Sequence, residues 1–310
     1  MELDQYYRNR IDSFLEGYKL NELKEVVASI SSLYLEEKKM SVINNELKAK
    51  IYAAFRMPAT YKAVSEVLEE VFSRYNPIIK SSLDLGAGLG AASLALSHLK
   101  EDISYHLYEK ESAMRELGKE ILEDDKYIYQ SFDIVSDEIK DKYDIVMSSY
   151  VLNEINSDKR IEVISKMYEA SNDLVVVVEP GTPSGYQIIK EVRDTLLGKG
   201  MHIVAPCPHE ENCPMKDNDW CHFSTRVQRS KLHKDIKGGE APFEDEKYSY
   251  IVLSKNEVNR CSSRILRHPI INKGMIKLTT CSKEGISNVE IRKNHPNYKV
   301  IKKLKVGDSF

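Results

Sequence analysis

A glycine-rich turn between a strand pattern and a helix pattern is the feature that most restricts the fold of this chain. SSLDLGAG, residues 81–88, predicts a strand that runs into the turn, and AASLALSHLK, residues 91–100, predicts a helix directly after it. Further strands are predicted in SYHLYEK, YIYQSFDIV, YDIVMSSYVLNEI and DLVVVVEPG, with helices between them. This alternation is typical of an α/β fold with a doubly wound parallel sheet.

The pattern divides the 310 residues into four predicted parts. Residues 1–75 place apolar side chains at three- and four-residue spacing, which predicts an N-terminal helical region. Residues 76–200 form the predicted α/β core, and residues 201–240 a Cys- and Pro-rich insert. Residues 241–310 supply the strands that complete the core and a basic, β-rich tail. Since neither a membrane-spanning run nor a signal-peptide pattern is visible, we expect a soluble, monomeric, cytoplasmic protein without a membrane partner.

The turn from Asp84 to Gly90 has the composition of a nucleotide-binding loop. Its glycines let the backbone approach a ligand, and the N-terminus of the following helix favours polar or anionic groups. Glu109 ends the second predicted strand, where an acid can accept both ribose hydroxyls, and Asp133 follows the third strand, in position to bind an adenine amino group. The candidate cofactor-binding residues are Asp84, Gly86, Gly88, Gly90, Glu109, Asp133 and, at the end of the fourth strand, Ser149.

Together these features resemble the motif series of the class I S-adenosylmethionine-dependent methyltransferases. The resemblance rests on DLGAGLG, on the acids after strands two and three, and on SSYVLNEI after strand four. It implies a Rossmann-like methyltransferase sheet that binds S-adenosylmethionine. Two alternatives remain: a structural βα turn with two surface acids, and an NAD-type dehydrogenase, which is less favoured because no His or Lys/Tyr pair suits hydride transfer.

The catalytic residues stay unknown at this point. Asn153, Glu154 and Glu179 fall at predicted carboxyl ends of strands, where they could position an acceptor or contact the methionine end of the cofactor. Neither the Asn/Asp-Pro-Pro-aromatic turn of amino-group methylation nor a suitably placed nucleophilic cysteine is present. The sequence therefore names no catalytic base.

Three of the five cysteines fall within fifteen residues of the predicted insert: Cys207, Cys213 and Cys221. Because this segment has few large apolar residues, three thiols held close together indicate a metal site. His209 and His222 are alternative ligands, and Cys261 or Cys281 could supply a fourth thiolate. Residue chemistry alone favours zinc over an iron–sulfur cluster, since the compact ferredoxin spacing is lacking. A segment without metal is the remaining alternative.

Four segments in one order resemble the methyltransferase-like family of the mitochondrial small ribosomal subunit, which also has bacterial members. They are AAFRMPATYKAV, VEPGTPSGYQIIKEVR, APCPHEENCPM with WCHF, and YSYIVL followed by RILRHPIINKGMIKLTTC. The resemblance runs from about Ile51 to Val306-Gly307-Asp308, where the family often has Trp-Gly-Asp. The cysteine pattern is its most specific part.

The resemblance implies a 4Fe-4S cluster held by four cysteines. Carried over by position, the ligands are Cys207, Cys213, Cys221 and Cys281, the last assigned because it ends the LTTC strand. Cys261 has no counterpart and is interpreted as a small buried hydrophobe. On this ground alone the cluster is preferred to zinc.

Charge is distributed unevenly along the chain. Residues 1–200 carry 25 Lys+Arg and 35 Asp+Glu, whereas residues 201–310 carry 20 and 13. A basic C-terminal third indicates an anionic partner, nucleic acid first, unless it is only a solvated surface. Candidate phosphate contacts are Arg226, Arg229, Lys231, Lys234, Lys237, Arg264, Arg267, Lys273, Lys277, Lys299, Lys302, Lys303 and Lys305, and candidate stacking residues are Tyr186, Trp220 and Phe223.

The family resemblance implies that this partner is the small ribosomal subunit and its rRNA. The leading hypothesis is an S-adenosylmethionine-dependent methyltransferase-like protein that acts on or binds rRNA in ribosome assembly or translation. The alternative is a non-catalytic assembly factor that keeps the fold and binds rRNA.

Overall fold

Helices form the N-terminal part of the molecule in the computed structural model, which describes residues 1–35, 43, 45–216, 218–237 and 240–310. They are α1 (Gln5–Ser13), α2 (Leu20–Leu35), α3 (Glu46–Phe55) and α4 (Met57–Arg74). Pro58 lies in the first turn of α4, where a missing N–H removes no helical hydrogen bond. The parts of the predicted regions 1–75 and 201–240 that fall on residues 36–42, 44, 217, 238 and 239 lie outside the described residues.

One large sheet carries the centre of the fold. Its strands are β1 (Ser81–Leu85), β2 (Ser104–Glu109), β3 (Tyr127–Ser131), β4 (Tyr143–Ser149), β5 (Ser171–Pro180), β6 (His202–Ala205), β7 (Phe223–Gln228) and β8 (Phe243–Ser254). The order is β3-β2-β1-β4-β5-β8-β6, with β7 also paired to β8. The first five strands are parallel, and β8 is antiparallel to β5, β6 and β7. The predicted α/β class with a Rossmann-like parallel sheet is therefore confirmed.

Helices cover both faces of this sheet. They are α5 (Ala91–Ser97), α6 (Ser112–Leu122), α7 (Ser157–Ala170) and α8 (Pro183–Gly198), with a 3₁₀ turn at Leu152–Glu154. On β5, Val175 and Val177 pack into the core that contains α7 and α8, whereas Val176 and Val178 pack into the core that contains α4 and α5. The run of valines is continuous because both faces of this central strand are buried. Strand order reverses between β1 and β4, and at such a point the carboxyl ends of the strands open a crevice.

Residues 201–237 contain more regular structure than their sequence pattern predicts. The strand β6 precedes Pro206, β7 follows Cys221, and a helix α9 (Lys231–Lys237) comes next. Along β7, buried residues alternate with exposed ones, so FSTRVQ does carry a period-two signal. Residues 201–223 have no recognisable helical or strand period in the sequence, because β6 has only four residues and β7 begins only at Phe223.

A second, smaller sheet forms the C-terminal part. It consists of β9 (Ser263–Ile265), β10 (Ile270–Asn272), β11 (Met275–Ser282) and β12 (Gly285–Arg292), followed by α10 (Tyr298–Ile301). Pairing of β11 with β9 sets Cys281 beside Arg264. Within the described ranges, no helix is long and apolar enough to cross a membrane.

Candidate functional site

The glycine-rich loop follows β1 at the point where the strand order reverses. Gly86, Gly88 and Gly90 have φ angles of 69°, 54° and 79°. A β-carbon at Gly86 would lie 2.5 Å from Cγ2 of Val151, and one at Gly90 would lie 2.7 Å from Cδ1 of Leu122. Both conformation and space therefore require glycine at these two positions.

Asp84 lies fully buried on β1, under the loop. Its Oδ2 accepts hydrogen bonds from the backbone N (3.2 Å) and Oγ (3.0 Å) of Ser93, in the first turn of α5. Oδ1 has no hydrogen-bond partner within the described part of the chain. Burial raises the pKa of Asp84 to about 7, although the Ser93 hydrogen bonds oppose the shift. Asp84 thus braces the loop and brings a second, unpartnered acceptor atom beneath it.

Glu109, at the end of β2, bonds directly to the loop. Its Oε2 accepts from the N–H of Gly88 and its Oε1 from the N–H of Glu111, both at 2.8 Å. Burial raises the pKa of Glu109, and these N–H groups oppose the shift. The structure thus brings Glu109 and the glycine-rich loop together.

Asp133 and Ser149 border the same crevice with different surroundings. Asp133 pairs with Nζ of Lys110 at 2.8 Å and accepts from the N–H of Val135 at 2.9 Å. The Lys110 ammonium holds the pKa of Asp133 below its usual range. A ligand at Asp133 would have to share this carboxylate with Lys110, whereas Ser149 is a half-buried residue at the end of β4.

The residue after β4 adopts an unusual backbone conformation. Tyr150 has a φ of 60°, which is costly for a bulky side chain. Its N–H donates to the carbonyl of Val178 (2.8 Å), and its hydroxyl donates to Oε1 of Glu246 (2.9 Å). Glu246 in turn accepts two hydrogen bonds, at 3.1 and 3.0 Å, from Arg56. Sequence reasoning missed this arrangement, because neither the strain nor the three-residue network leaves a local signal.

Two further acids complete the crevice, at the ends of β4 and β5. Glu179 is fully buried, and its Oε1 accepts from the N–H groups of Val151 (3.2 Å) and Leu152 (2.8 Å), while its Oε2 has no partner among the described residues. Burial raises the pKa of Glu179 to about 8. Although the side chain of Glu154 reaches solvent, desolvation and then repulsion from Glu109 raise its pKa to about 7.

These four carboxyl groups form what we call the acidic edge: Asp84, Glu109, Glu154 and Glu179. The charge of Glu109 raises the pKa of both Asp84 and Glu154, and the charge of Glu154 raises that of Glu179. The repulsion shows that the four groups lie close enough to act on one another. Such an edge is electrostatically suited to a cationic ligand and poorly suited to an anionic one.

A separate cavity of about 50 Å³ lies between α8, the segment after β6, and the small sheet. It is lined by the four cysteines that the resemblance assigned, and we call it the cysteine cavity: Cys207, Cys213, Cys221 and Cys281. Cys261 is not among the described residues that line it. Across the described ranges, no three His, Cys, Asp or Glu side chains are already grouped so that they could hold a metal ion.

Different elements position the four thiols. Cys207 follows Pro206 after β6, and Sγ of Cys213 lies 3.2 Å from the hydroxyl oxygen of Tyr186 on α8. The carbonyl of Cys221 accepts from Oγ of Ser249 on β8 at 2.8 Å, and Cys281 lies in β11. Burial raises the pKa of Cys207 to about 11 and that of Cys281 to about 12. The thiols of Cys207 and Cys281 therefore stay protonated unless a metal displaces their protons.

Two buried guanidinium groups also line the cysteine cavity. Arg264 is 2% exposed; its Nε donates to the carbonyl of Pro206 (2.9 Å) and its Nη1 to Oε1 of Glu70 (2.7 Å). The interpretation of Arg264 as a phosphate contact was therefore wrong, because its guanidinium lies inside the protein. Arg193 is 3% exposed and was missed, although it follows Tyr186 by seven residues and so shares its face of α8.

The two histidines proposed as alternative ligands differ in position. His209 lines the cysteine cavity, and its Nε2 lies 3.6 Å from Sγ of Cys281, while its Nδ1 has no partner in the described structure. His222 stacks near Trp220 and is not among the described lining residues. Of the stacking candidates, Phe223 and Tyr186 are buried, and Nε1 of Trp220 donates to the carbonyl of Gly181 at 3.0 Å.

Comparison with known proteins gives one family. A family model described as the mitochondrial small ribosomal subunit protein Rsm22 matches residues 46–310. The human ribosome assembly protein METTL17, mitochondrial, is 26% identical over 283 residues, which cover 82% of this chain and 60% of that protein. The Rsm22-cox11 tandem protein 2 of Schizosaccharomyces pombe is 26% identical over 282 residues, covering 80% and 37%. The chain thus spans less than two thirds of the length of these relatives.

Solved structures of methyltransferases align with this chain at lower similarity. Magnesium protoporphyrin IX methyltransferase from Synechocystis PCC 6803, with bound S-adenosylmethionine, aligns with a TM-score of 0.42 and 12% identity over 76% of this chain and 97% of that one. The N-methyltransferase NodS from Bradyrhizobium japonicum, with S-adenosylhomocysteine, aligns with a TM-score of 0.44 and 11% identity over 74% and 99%.

Proposed function

The chain belongs to the Rsm22 family of the mitochondrial small ribosomal subunit, and from this premise we propose that it is a methyltransferase-like protein of small-subunit assembly. In this proposal it binds S-adenosylmethionine at the acidic edge, a 4Fe-4S cluster in the cysteine cavity, and the rRNA of the small subunit. The predicted four-part division, the cytoplasmic location and the monomeric state stay predictions.

The acidic edge is the observation that carries the cofactor proposal. S-adenosylmethionine has a positive sulfonium and a positive ammonium group, so carboxylates whose pKa values are raised by burial and, to a smaller extent, by mutual repulsion would be stabilised by it. The pyrophosphate of a dinucleotide would add negative charge to the same place. Unpartnered acceptor atoms on Asp84 and Glu179 also indicate that this edge has more hydrogen-bond acceptors than the protein alone satisfies. The residues present thus fit S-adenosylmethionine better than NAD.

The chain's own residues would bind and orient the cofactor. Glu109 would accept the ribose hydroxyls, Asp133 the adenine amino group, and Gly86 and Gly88 would let the loop backbone approach the ligand. Glu179 holds the turn after β4 through the N–H groups of Val151 and Leu152. When bound, the cofactor supplies an electrophilic methyl group, so the protein's contribution is mainly orientation.

The cysteine cavity supports the cluster over zinc. Four soft thiolate donors around one cavity suit either metal centre. A volume of about 50 Å³ is several times the ~10–15 Å³ needed by one water-sized sphere, so the cavity is roomy for a single ion. Two buried guanidiniums would also offset the negative charge of a cluster with four thiolates. The donor set and its surroundings therefore fit a 4Fe-4S cluster.

The basic C-terminal third supports an rRNA partner. Lys273 and Lys277 are exposed on and beside the small sheet, and exposed lysines continue at 299, 302, 303 and 305. Basic side chains spaced along one surface bind phosphates with an affinity that falls as salt rises. Arg226 and Lys277 are less available, because Arg226 pairs with Asp245 and Lys277 with Glu290.

A non-catalytic assembly factor is the second candidate. It is favoured by Glu179, a well-placed acid at the edge, because one of its carboxylate oxygens is engaged by two backbone N–H groups of the neighbouring turn. An acid held in this way positions a loop rather than accepting a proton from a substrate.

One experiment separates the two candidates and tests the cofactor. Wild type and Gly88→Arg are incubated with S-adenosylmethionine labelled on the methyl group, and both retained cofactor and label on immature small subunits are measured. Gly88→Arg places a bulky side chain at φ 54° in the loop, with Cε of Met114 already 3.2 Å from a β-carbon there. Binding with transfer by wild type alone supports the methyltransferase, binding without transfer supports the assembly factor, and no binding by wild type refutes the cofactor proposal.

A further inference from the structure

Arg193 contributes a buried hydrogen-bond donor that the protein leaves unused. Its guanidinium lines the cysteine cavity and is 3% exposed. Nη2 donates to the carbonyl of His209 (3.3 Å) and to that of Glu211, and Nη1 donates to Oδ1 of Asp194 (2.9 Å). Nε, the third donor atom, is buried without a hydrogen-bond partner in the described part of the chain. Leaving a buried donor unsatisfied costs roughly 1–3 kcal/mol, so this N–H calls for an acceptor.

The cysteine sulfurs that line the cavity are the acceptors available to this N–H. The side chain of Cys207 lines the same cavity as the Arg193 guanidinium. Among the described residues, the carboxylate bonded to Arg193 belongs to Asp194, whose side chain is 54% exposed and therefore screened by water. Within this part of the chain, the guanidinium thus has no buried carboxylate as its partner.

Hydrogen bonds and positive charge next to an iron–sulfur cluster raise its reduction potential, because they stabilise the reduced and more negative state. An arginine is suited to this, since its planar group can hold backbone carbonyls with two nitrogens while a third donates elsewhere.

We propose that Arg193 is a positioning residue of the cluster: its Nε–H donates to a cluster or thiolate sulfur on the Cys207 side, while Nη2 fixes the segment at residues 209–211. This inference rests on the proposed 4Fe-4S cluster and deepens it, by naming a residue that sets the potential and the retention of the cluster without ligating it.

The test compares anaerobically purified wild type, Arg193→Lys and a control, Arg8→Lys. Arg8 is also a buried arginine that donates to two backbone carbonyls, those of Leu3 (2.9 Å) and Gln228 (3.0 Å), but it lines a different cavity. Three quantities are measured: iron content, the midpoint potential of the cluster followed by electron paramagnetic resonance, and the rate of iron release to a chelator.

We expect Arg193→Lys to bind iron but to show a more negative midpoint potential and a several-fold faster release. Arg8→Lys should match wild type in both quantities, even if its melting temperature falls. If the melting temperature of Arg193→Lys falls while its potential and release rate match wild type, Arg193 only holds the segment at 209–211 and the inference is wrong.

A second measurement leaves Arg193 unchanged, in case Arg193→Lys does not fold. Wild type labelled with ¹⁵N-arginine should show a nitrogen hyperfine coupling to the reduced cluster, and Arg264→Lys, which removes the other guanidinium of the cavity, should keep it. Absence of the coupling in wild type, or its loss in Arg264→Lys that still contains the cluster, would overturn the inference. If wild type contains four irons per chain but shows no coupling, the proposed cluster stands and only the role of Arg193 fails. If wild type contains zinc or no metal, the cluster proposal itself fails and the inference with it.

Discussion

The acidic edge and the cysteine cavity bury ionisable groups of opposite kind, acids at the edge and arginines in the cavity. At the edge, Asp84 and Glu179 are fully buried carboxyls whose pKa values rise to about 7 and about 8 mainly through burial. In the cavity, Arg193 and Arg264 are buried guanidiniums beside four thiols. Buried charge without a full complement of partners is unfavourable unless a ligand supplies what is lacking. Each region therefore suits a different ligand: a cation at the edge and an anionic metal–thiolate centre in the cavity.

The two regions also differ in how the chain assembles them. Two consecutive βα units, β1–α5 and β2–α6, supply the glycine-rich loop and Glu109, so that part of the edge forms from residues close in sequence. The cavity needs Cys281 from β11, which reaches it through pairing with β9 in a separate sheet. Replacing one cysteine ligand should therefore lower metal binding in the cavity more than any single substitution lowers cofactor binding at the edge.

The largest effect is expected for Cys213→Ser. A serine hydroxyl is a hard, protonated group that replaces a soft thiolate poorly, so iron retention should fall by at least ~10-fold and soluble yield should fall with it. The matched control is Cys261→Ser, because Cys261 is not among the described residues lining the cavity. The measurement that tests this prediction is the iron and sulfide content per chain. Full iron in Cys213→Ser would refute the ligand assignment, and equal losses in both variants would add Cys261 to the site.

A smaller but clear effect is expected for Gly86→Ala at the edge. The substitution combines a φ of 69° with a β-carbon 2.5 Å from Cγ2 of Val151, so the turn held by Glu179 must move. Strain of this kind costs roughly 1–3 kcal/mol, which predicts at least a ~5-fold loss of S-adenosylmethionine affinity by calorimetry.

Gly198→Ala is the control for this substitution, since a β-carbon there meets nothing within 4 Å. It lies at the end of α8, where alanine is neutral or stabilising by up to ~1 kcal/mol. Iron content should be unchanged in both variants. Unchanged affinity in Gly86→Ala would mean that the loop does not approach the cofactor.

The contrast between the regions also explains what the sequence could predict. The alternation of strands and helices, the glycines and Glu109 are local patterns, and the confirmed α/β class with a parallel sheet followed from the alternation. Their binding roles, like those of Asp133 and Ser149, stay predictions. Cys207, Cys213 and Cys221 were visible as a cluster, whereas Cys281 was assigned only through the family resemblance.

Sequence patterns could not predict that these arginines are buried, and the reason is physical. Arg264 is ion-paired with Glu70, 194 residues away, and only long-range packing decides that its guanidinium faces the interior. The left-handed conformation of Tyr150 likewise depends on Arg56 and Glu246, which lie far apart in the chain. Whether a charged side chain is buried depends on the assembled fold, so it can be read from the structure but not from local sequence patterns.

The third prediction concerns pH and has a moderate expected size. The pKa values of about 7 for Glu154 and about 8 for Glu179 lie above the ordinary value of a glutamate, so both groups bind protons near neutrality. As pH rises from 6 to 8.5 they gain negative charge, and affinity for the cationic cofactor should rise several-fold. The same shifts mean that the free protein loses stability over this range, because the unfolded chain has already released these protons.

Titration calorimetry at several pH values checks this prediction. S-adenosylhomocysteine, which lacks the sulfonium charge, should show a weaker pH dependence. Glu154→Gln should reduce the lower part of the rise without abolishing it, because the pKa of Asp84 is also raised to about 7, and iron content should stay unchanged. An affinity for S-adenosylmethionine that falls or stays constant with rising pH would contradict the charge argument at the edge.

The smallest expected effect lies at the contact between the two regions. Nε1 of Trp220, next to Cys221, donates to the carbonyl of Gly181 at 3.0 Å, two residues after Glu179. One such hydrogen bond contributes roughly 1 kcal/mol, so removing the cluster should weaken cofactor binding by about 2- to 5-fold if the bond transmits the change. Trp220→Phe should show this loss already when loaded with iron, and iron removal should then have little further effect, as a double-mutant cycle requires.

Tyr6→Phe, which removes an exposed hydrogen bond to Glu123, is the control. If iron removal weakens binding equally in wild type and Trp220→Phe, coupling runs through another path; if it weakens neither, edge and cavity act independently.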